Sequence, residues 1–179
     1  SGVKNMKALF VIDMVNGFVK EGAMHDIKIM SIVPCIENLV REFDGDCYFI
    51  RDAHDRDAVE FKSFPSHCVK GTSESEVIDE LRPYVKKEIL NTFTCPDFQS
   101  FLTERMDSYR DIVITGCCTD ICVLQFALSL KTYLNQIDSN HKVKVVKAGV
   151  ATYDAQHHKA EGYHSMALKL MEQSGIEII

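Results

Sequence analysis

None of the apolar runs in the 179 residues approaches the ~18 residues that a membrane-crossing helix requires. Basic blocks are also missing. Lys and Arg number 20 against 26 Asp and Glu, a net charge of −6, so the electrostatic footprint of a nucleic-acid binder is absent. There is no internal repeat, low-complexity tract or Pro/Gly-rich linker that would divide the chain. The expectation is one domain over 1–179, with 1–6 as an N-terminal tail. A disulfide framework is not expected either. The seven cysteines are odd in number and irregularly spaced, which reads as reduced thiols in a cytoplasmic protein.

What the sequence does contain is strand-like and helix-like segments in alternation. Ala8–Asp13, Asp46–Ile50, Asp111–Thr115, Val143–Val146 and Ile176–Ile179 are short apolar runs that read as strands. Ile32–Phe43, Ser73–Tyr84, Asp97–Met106, Cys122–Leu134 and Ala160–Glu172 carry helical spacing, with Ser73 at an N-cap and Pro96 before the third. This alternation predicts an α/β fold of three layers, α/β/α. A mainly parallel sheet of five to six strands, doubly wound in the Rossmann manner, lies between the helices. Ligands of such folds bind beyond the carboxyl ends of the strands, so the residues just after each strand are the ones to inspect.

Asp13 ends the first strand, Arg51-Asp52-Ala53-His54 follows the second, and Gly116-Cys117-Cys118-Thr119-Asp120-Ile121-Cys122 follows the third. Cys122 falls in the first turn of a helix, where free N–H groups and the helix dipole favour a thiolate and could also hold an oxyanion. A free cysteine there is equally readable as a small core residue. Asp13 is readable as a base, a ligand or a helix-capping residue. Asp52, His54, Glu60 and His67 offer the mixed N/O donors that suit Zn, Fe or Mn better than Ca or Mg, although the pattern is loose. His25, His141, His157 and His164 read as surface or satisfied residues, with His158 a weaker candidate for a pocket rim.

Four stretches together resemble the isochorismatase-like cysteine hydrolases and, within them, the nicotinamidase branch: Asp13–Phe18, Asp52 through Thr72, Lys87–Phe93 and Gly116–Val123. The resemblance implies an isochorismatase-like fold and a catalytic triad at Asp13, Lys87 and Cys122, with Lys86 an adjacent rival to Lys87. It also implies a cis peptide at Cys117–Cys118 and an oxyanion hole from the N–H groups of Cys118 and Cys122. One divalent metal, with Zn favoured over Fe or Mn, would sit on Asp52, His54, Glu60 and His67, and Phe18 and Phe64 would pack on a planar substrate. The implied activity is hydrolysis of nicotinamide to nicotinate and ammonia through a Cys122 thioester, within NAD salvage. The implied partners are that small molecule and further copies of the chain, with no nucleic acid and no membrane. Val15, Gly17 and Leu90 depart from the family pattern. The rival readings are another amidohydrolase of the family acting on N-carbamoyl compounds, a non-catalytic binding protein, and a thiol redox protein using Cys117 and Cys118.

Overall fold

The computed structural model describes residues 6–91 and 109–179. Six strands form one sheet: β1 (Met6–Ile12), β2 (Asp46–Asp52), β3 (Glu88–Asn91), β4 (Tyr109–Cys117), β5 (Lys142–Ala151) and β6 (Glu177–Ile178). Their order is β3-β2-β1-β4-β5-β6, and every neighbouring pair is parallel. The helices among the described residues are α1 (Asn16–Val19), α2 (Val33–Glu42), α3 (Leu124–Gln136) and α4 (Ala160–Gln173).

Alternation along β1 explains the three layers. Ala8, Phe10 and Ile12 face a core shared with Phe126, Leu130 and Leu134 of α3 and Met171 of α4. Leu9 and Val11 face a second core with Val33 and Ile36 of α2. All five residues are fully buried, as expected of a central parallel strand covered on both faces. The expected α/β/α architecture is therefore the one observed.

Two expectations differ from the structure. Ser73–Tyr84 is not a helix but two isolated single turns, at Ser73–Ser75 and Arg82–Tyr84. The backbone between them is held by the segment after β1: Asn16 N–H donates to Glu76 O at 3.0 Å and Ile78 N–H to Met14 O at 3.0 Å, and Val15 pairs with Val77. These long-range bonds override helical propensity while still burying Val77, Ile78 and Leu81. β3 was not foreseen at all. The expected helix Asp97–Met106 lies outside the described residues.

The strand order reverses between β1 and β4, and the crevice at such a reversal is where doubly wound folds take their ligands. Gly116 lets β4 close on β1 there. Its φ is +116°, and a Cβ on it would meet Ile12 O at 2.1 Å. No helix among the described residues is long and apolar enough to cross a membrane.

Candidate active site

Asp13 follows β1 directly at this reversal point. Its backbone has φ +52°, a left-handed conformation that Asp tolerates better than most residues and that re-aims the chain as it leaves the strand. Its N–H donates to Ile50 O at 2.8 Å, and the Cys117 thiol donates to its carbonyl at 3.2 Å. The side chain is fully buried, and neither carboxyl oxygen has a hydrogen-bond partner of good geometry. Burial, and then the negative charge of Asp52, push this carboxyl well above the usual carboxylate range.

Beyond β4 the chain passes through a cis Cys117–Cys118 peptide, at the position implied by the family resemblance. It then makes one wide turn, in which Cys118 O accepts from both Ile121 N–H and Val123 N–H at 3.1 Å, before α3 begins. Wide turns of this kind recur at functional sites. The turn carries Cys122, 4% exposed, up against Asp13. Burial first, then the Asp13 and Cys118 charges, push the Cys122 thiol well above its ordinary value. A thiol and a carboxyl are thus adjacent in a water-poor site, and burial raises both.

A second cluster sits at the carboxyl end of β2. His54 Nε2 lies 2.9 Å from Asp52 Oδ2, 3.0 Å from Glu60 Oε2 and 3.2 Å from His67 Nε2. His67 Nε2 is 3.5 Å from Asp52 Oδ2. Donor atoms of Asp52, His54 and His67 all lie within 4.8 Å of one another, and all three residues are buried. His67 Nδ1 donates to Pro65 O at 2.6 Å, which orients the ring so that Nε2 faces the cluster. Asp52 Oδ1 is buried without a partner. Two imidazole nitrogens directed at one point beside two carboxylates form a donor set that fits a divalent transition metal. Burial lowers His67, but the Asp52 hydrogen bond and the Pro65 carbonyl outweigh it and hold the imidazole above its usual value. Burial raises Glu60, with His54 opposing.

The two clusters share one pocket, which Phe18, Phe64, Asp52, His67, Cys118 and Cys122 help to line. Phe18 and Phe64 set their rings 5.6 Å and 6.2 Å from His67. An aromatic guest in this pocket would be within reach of the thiol and the imidazoles together.

Lys87 is not part of this assembly. Its Nζ lies 3.4 Å from Asp46 Oδ1 and 5.3 Å from the centre of the Tyr48 ring. Asp46 begins β2 and Asp52 ends it, a separation of roughly 20 Å at ~3.3 Å per residue. The lysine expected beside Asp13 is therefore at the opposite edge of the sheet. The reason is β3: it runs from Glu88 parallel to β2, so Lys87 precedes the strand, and Leu90 and Asn91 are level with Arg51 and Asp52 at its far end. No Lys or Arg among the described residues pairs with Asp13, and residues 92–108 contain no lysine and one arginine, Arg105.

Several site residues were missed in the sequence. Phe61 lies edge-on to His54 at 5.3 Å and to His67 at 5.4 Å; its place in the single turn Val59–Lys62 gave no periodic signal. Tyr153, two residues beyond β5, lines the pocket, and the strand-end rule would have found it had the strand been read to its full length. His158, the weaker rim candidate, stacks on Tyr153 with ring centres 4.0 Å apart.

A family model described as the isochorismatase domain matches residues 7–179. Nicotinamidase 1 of Arabidopsis thaliana is 28% identical over 208 aligned positions, which cover 96% of this chain and 84% of that protein. The crystal structure of a pyrazinamidase/nicotinamidase from Streptococcus mutans superposes with a TM-score of 0.78 at 26% identity, covering 97% of this chain and 99% of that one. An N-carbamoylsarcosine amidase from Thermoplasma acidophilum shares the fold, with a TM-score of 0.75 at 23% identity over 97% and 95% of the two chains. The family match takes in every strand apart from the first residue of β1, and the chain belongs to the isochorismatase family.

Proposed function

We propose that this chain is a metal-assisted cysteine amidohydrolase that converts nicotinamide to nicotinate and ammonia. The observation that carries this reading is the shared pocket: Cys122, paired with buried Asp13, lines it together with Asp52 and His67 of the convergent Asp52/His54/His67 donor set and with Phe18 and Phe64. The Arabidopsis and Streptococcus proteins named above, by what they are called, favour nicotinamide over other amides.

Asp52, His54 and His67, with Glu60 completing the set, would hold the metal, zinc being the best match to two imidazoles and carboxylates. When bound there, a divalent ion supplies positive charge near Asp13 and a Lewis-acid site for a pyridine nitrogen. The chain's own residues carry the reaction. Phe18 and Phe64 hold the ring so that the carboxamide faces Cys122. Asp13 takes the thiol proton as Sγ bonds to the carboxamide carbon. The N–H groups of Cys118 and Cys122 hold the oxyanion. Asp13 then passes its proton to the nitrogen, the C–N bond breaks, and ammonia leaves a thioester on Cys122. Water attacks the thioester carbon with Asp13 accepting its proton. The C–S bond breaks and the proton returns to sulfur. A carboxyl held above its usual range suits the acid half of this cycle.

The test is ammonia release from nicotinamide, set beside N-carbamoyl amides. Release from nicotinamide that disappears in Cys122→Ala, with metal content unchanged, is expected. Release only from N-carbamoyl compounds would move the substrate and keep the nucleophile.

A further inference from the structure

Thr119 and Asp120 are consecutive residues of the wide turn that carries Cys122, and each is bonded to a different histidine near the start of α4. Thr119 Oγ1 lies 2.8 Å from His164 Nδ1. Asp120 Oδ2 lies 2.7 Å from His158 Nε2. The other ring nitrogen of His158 is 2.8 Å from Tyr153 O. Both ring nitrogens of His158 are thus engaged, one by the nucleophile turn and one by the pocket wall. Its ring is held between two tyrosines, Tyr153 and Tyr163, each with its centre 4.0 Å away and tilted by 8° and 22° respectively.

We propose that His158 and His164 are positioning residues that clamp the nucleophile turn, and that His158 locks the pocket wall at Tyr153 to the same clamp. This rests on the assignment of Cys122 as nucleophile. Inside the turn that carries Cys122, Ile121 N–H and Val123 N–H donate to Cys118 O at 3.1 Å and Leu124 N–H donates to Thr119 O and Ile121 O, while Thr119 and Asp120 reach outward to the histidines. The two histidine bonds fix the segment two and three residues before the sulfur. Tyr153 lines the pocket beside Cys118 and Cys122, so one imidazole sets the distance between the wall and the thiol. Displacements of about 1 Å in such a geometry lower rates by roughly 100-fold.

The two bonds use different nitrogens, and this gives the clamp a signature. The amide of Asn occupies the place of Nδ1, and the longer Gln reaches that of Nε2. At position 164, where Nδ1 bonds Thr119, His164→Asn should keep wild-type behaviour and His164→Gln should lose it. At position 158 both nitrogens are bonded, so His158→Gln keeps only the Asp120 bond, His158→Asn keeps only the Tyr153 bond, and both should be impaired. Two readouts are taken on the folded, full-length protein. One is kcat for nicotinamide hydrolysis. The other is the rate at which iodoacetamide alkylates Cys122, followed by peptide mass spectrometry. Loss of roughly tenfold or more in His164→Gln and in both position-158 variants, with His164→Asn retained, supports the clamp. Asn and Gln variants that behave alike at position 164, or alkylation unchanged in all four, overturn it. If the wild type hydrolyses no amide, the functional reading fails alone, and the alkylation pattern still decides the clamp.

Discussion

His54 Nε2 and His67 Nε2 lie 3.2 Å apart, with the same Asp52 oxygen 2.9 Å from one and 3.5 Å from the other. Two imidazoles and two carboxylates packed this closely form a site that a divalent cation satisfies. Added Zn at 100 times its Kd should therefore stabilise the metal-free protein by about 2.7 kcal/mol, which raises Tm by roughly 5–10 °C at this chain length. His54→Ala should abolish both the Tm response and the bound metal measured by elemental analysis. A full Tm response in His54→Ala would remove this residue from the ligand set.

The displacement of Lys87 to the far edge of the sheet gives a second test. Its side chain is 45% exposed and pairs with Asp46. Lys87→Ala should leave kcat within about twofold of wild type and change stability by less than about 1 kcal/mol, as for other exposed pairs. A loss of activity of 100-fold or more, with the fold intact, would mean that the lysine reaches Asp13 after all.

Asp13 makes a prediction about pH. An unfolded aspartate ionises near pH ~4. Burial, with Asp52 adding to it, holds the folded carboxyl well above that. The protonated carboxyl is therefore fully favourable to the fold below about pH 4. Its contribution is lost as pH rises from there toward the raised folded value. Asp13→Asn cannot ionise. Urea midpoints of the metal-free proteins from pH 4 to 8 should show the variant gaining on the wild type as pH rises. Its turnover should fall by about 10²–10⁴-fold. A wild type that gains on the variant over that window would contradict the buried, uncompensated carboxyl.

At the crevice itself, Gly116→Ala should destabilise the protein by more than about 1 kcal/mol, since φ +116° suits only glycine and the new Cβ would strike Ile12 O. Denaturant unfolding checks this; an unchanged midpoint would mean that β1 and β4 can separate without loss.

Much of this molecule is legible in its residues because parallel strands announce themselves. Leu9–Val11 and Ile112–Ile114 are continuous apolar runs, since both their faces are covered. Asp13 and Cys122 were legible because each follows such a run. His54 was legible because it follows β2 by two residues, whereas His67, in the loop beyond, rested on a loose donor pattern and the family resemblance. What failed was local pattern against distant bonds. Ser73–Tyr84 has helical spacing, but Met14 and Asn16 hold its backbone extended. β3 is four residues long, and without it nothing showed which end of the strand Lys87 occupies. His158 and His164 stayed bland for the same reason. Their partners, Asp120 and Thr119, lie 38 and 45 residues away in sequence, and only the packing of α4 against the nucleophile turn unites them.

In the proposed mechanism Cys122 takes up the acyl group of a pyridine carboxamide. Intact-protein and peptide mass spectrometry of the metal-loaded protein, acid-quenched within its first turnovers on nicotinamide, tests this. A nicotinoyl mass is expected on the Cys122 peptide, decaying as nicotinate appears and absent from Cys122→Ala. Steady nicotinate production with no acyl mass on Cys122, together with an active Cys122→Ala, would contradict the mechanism.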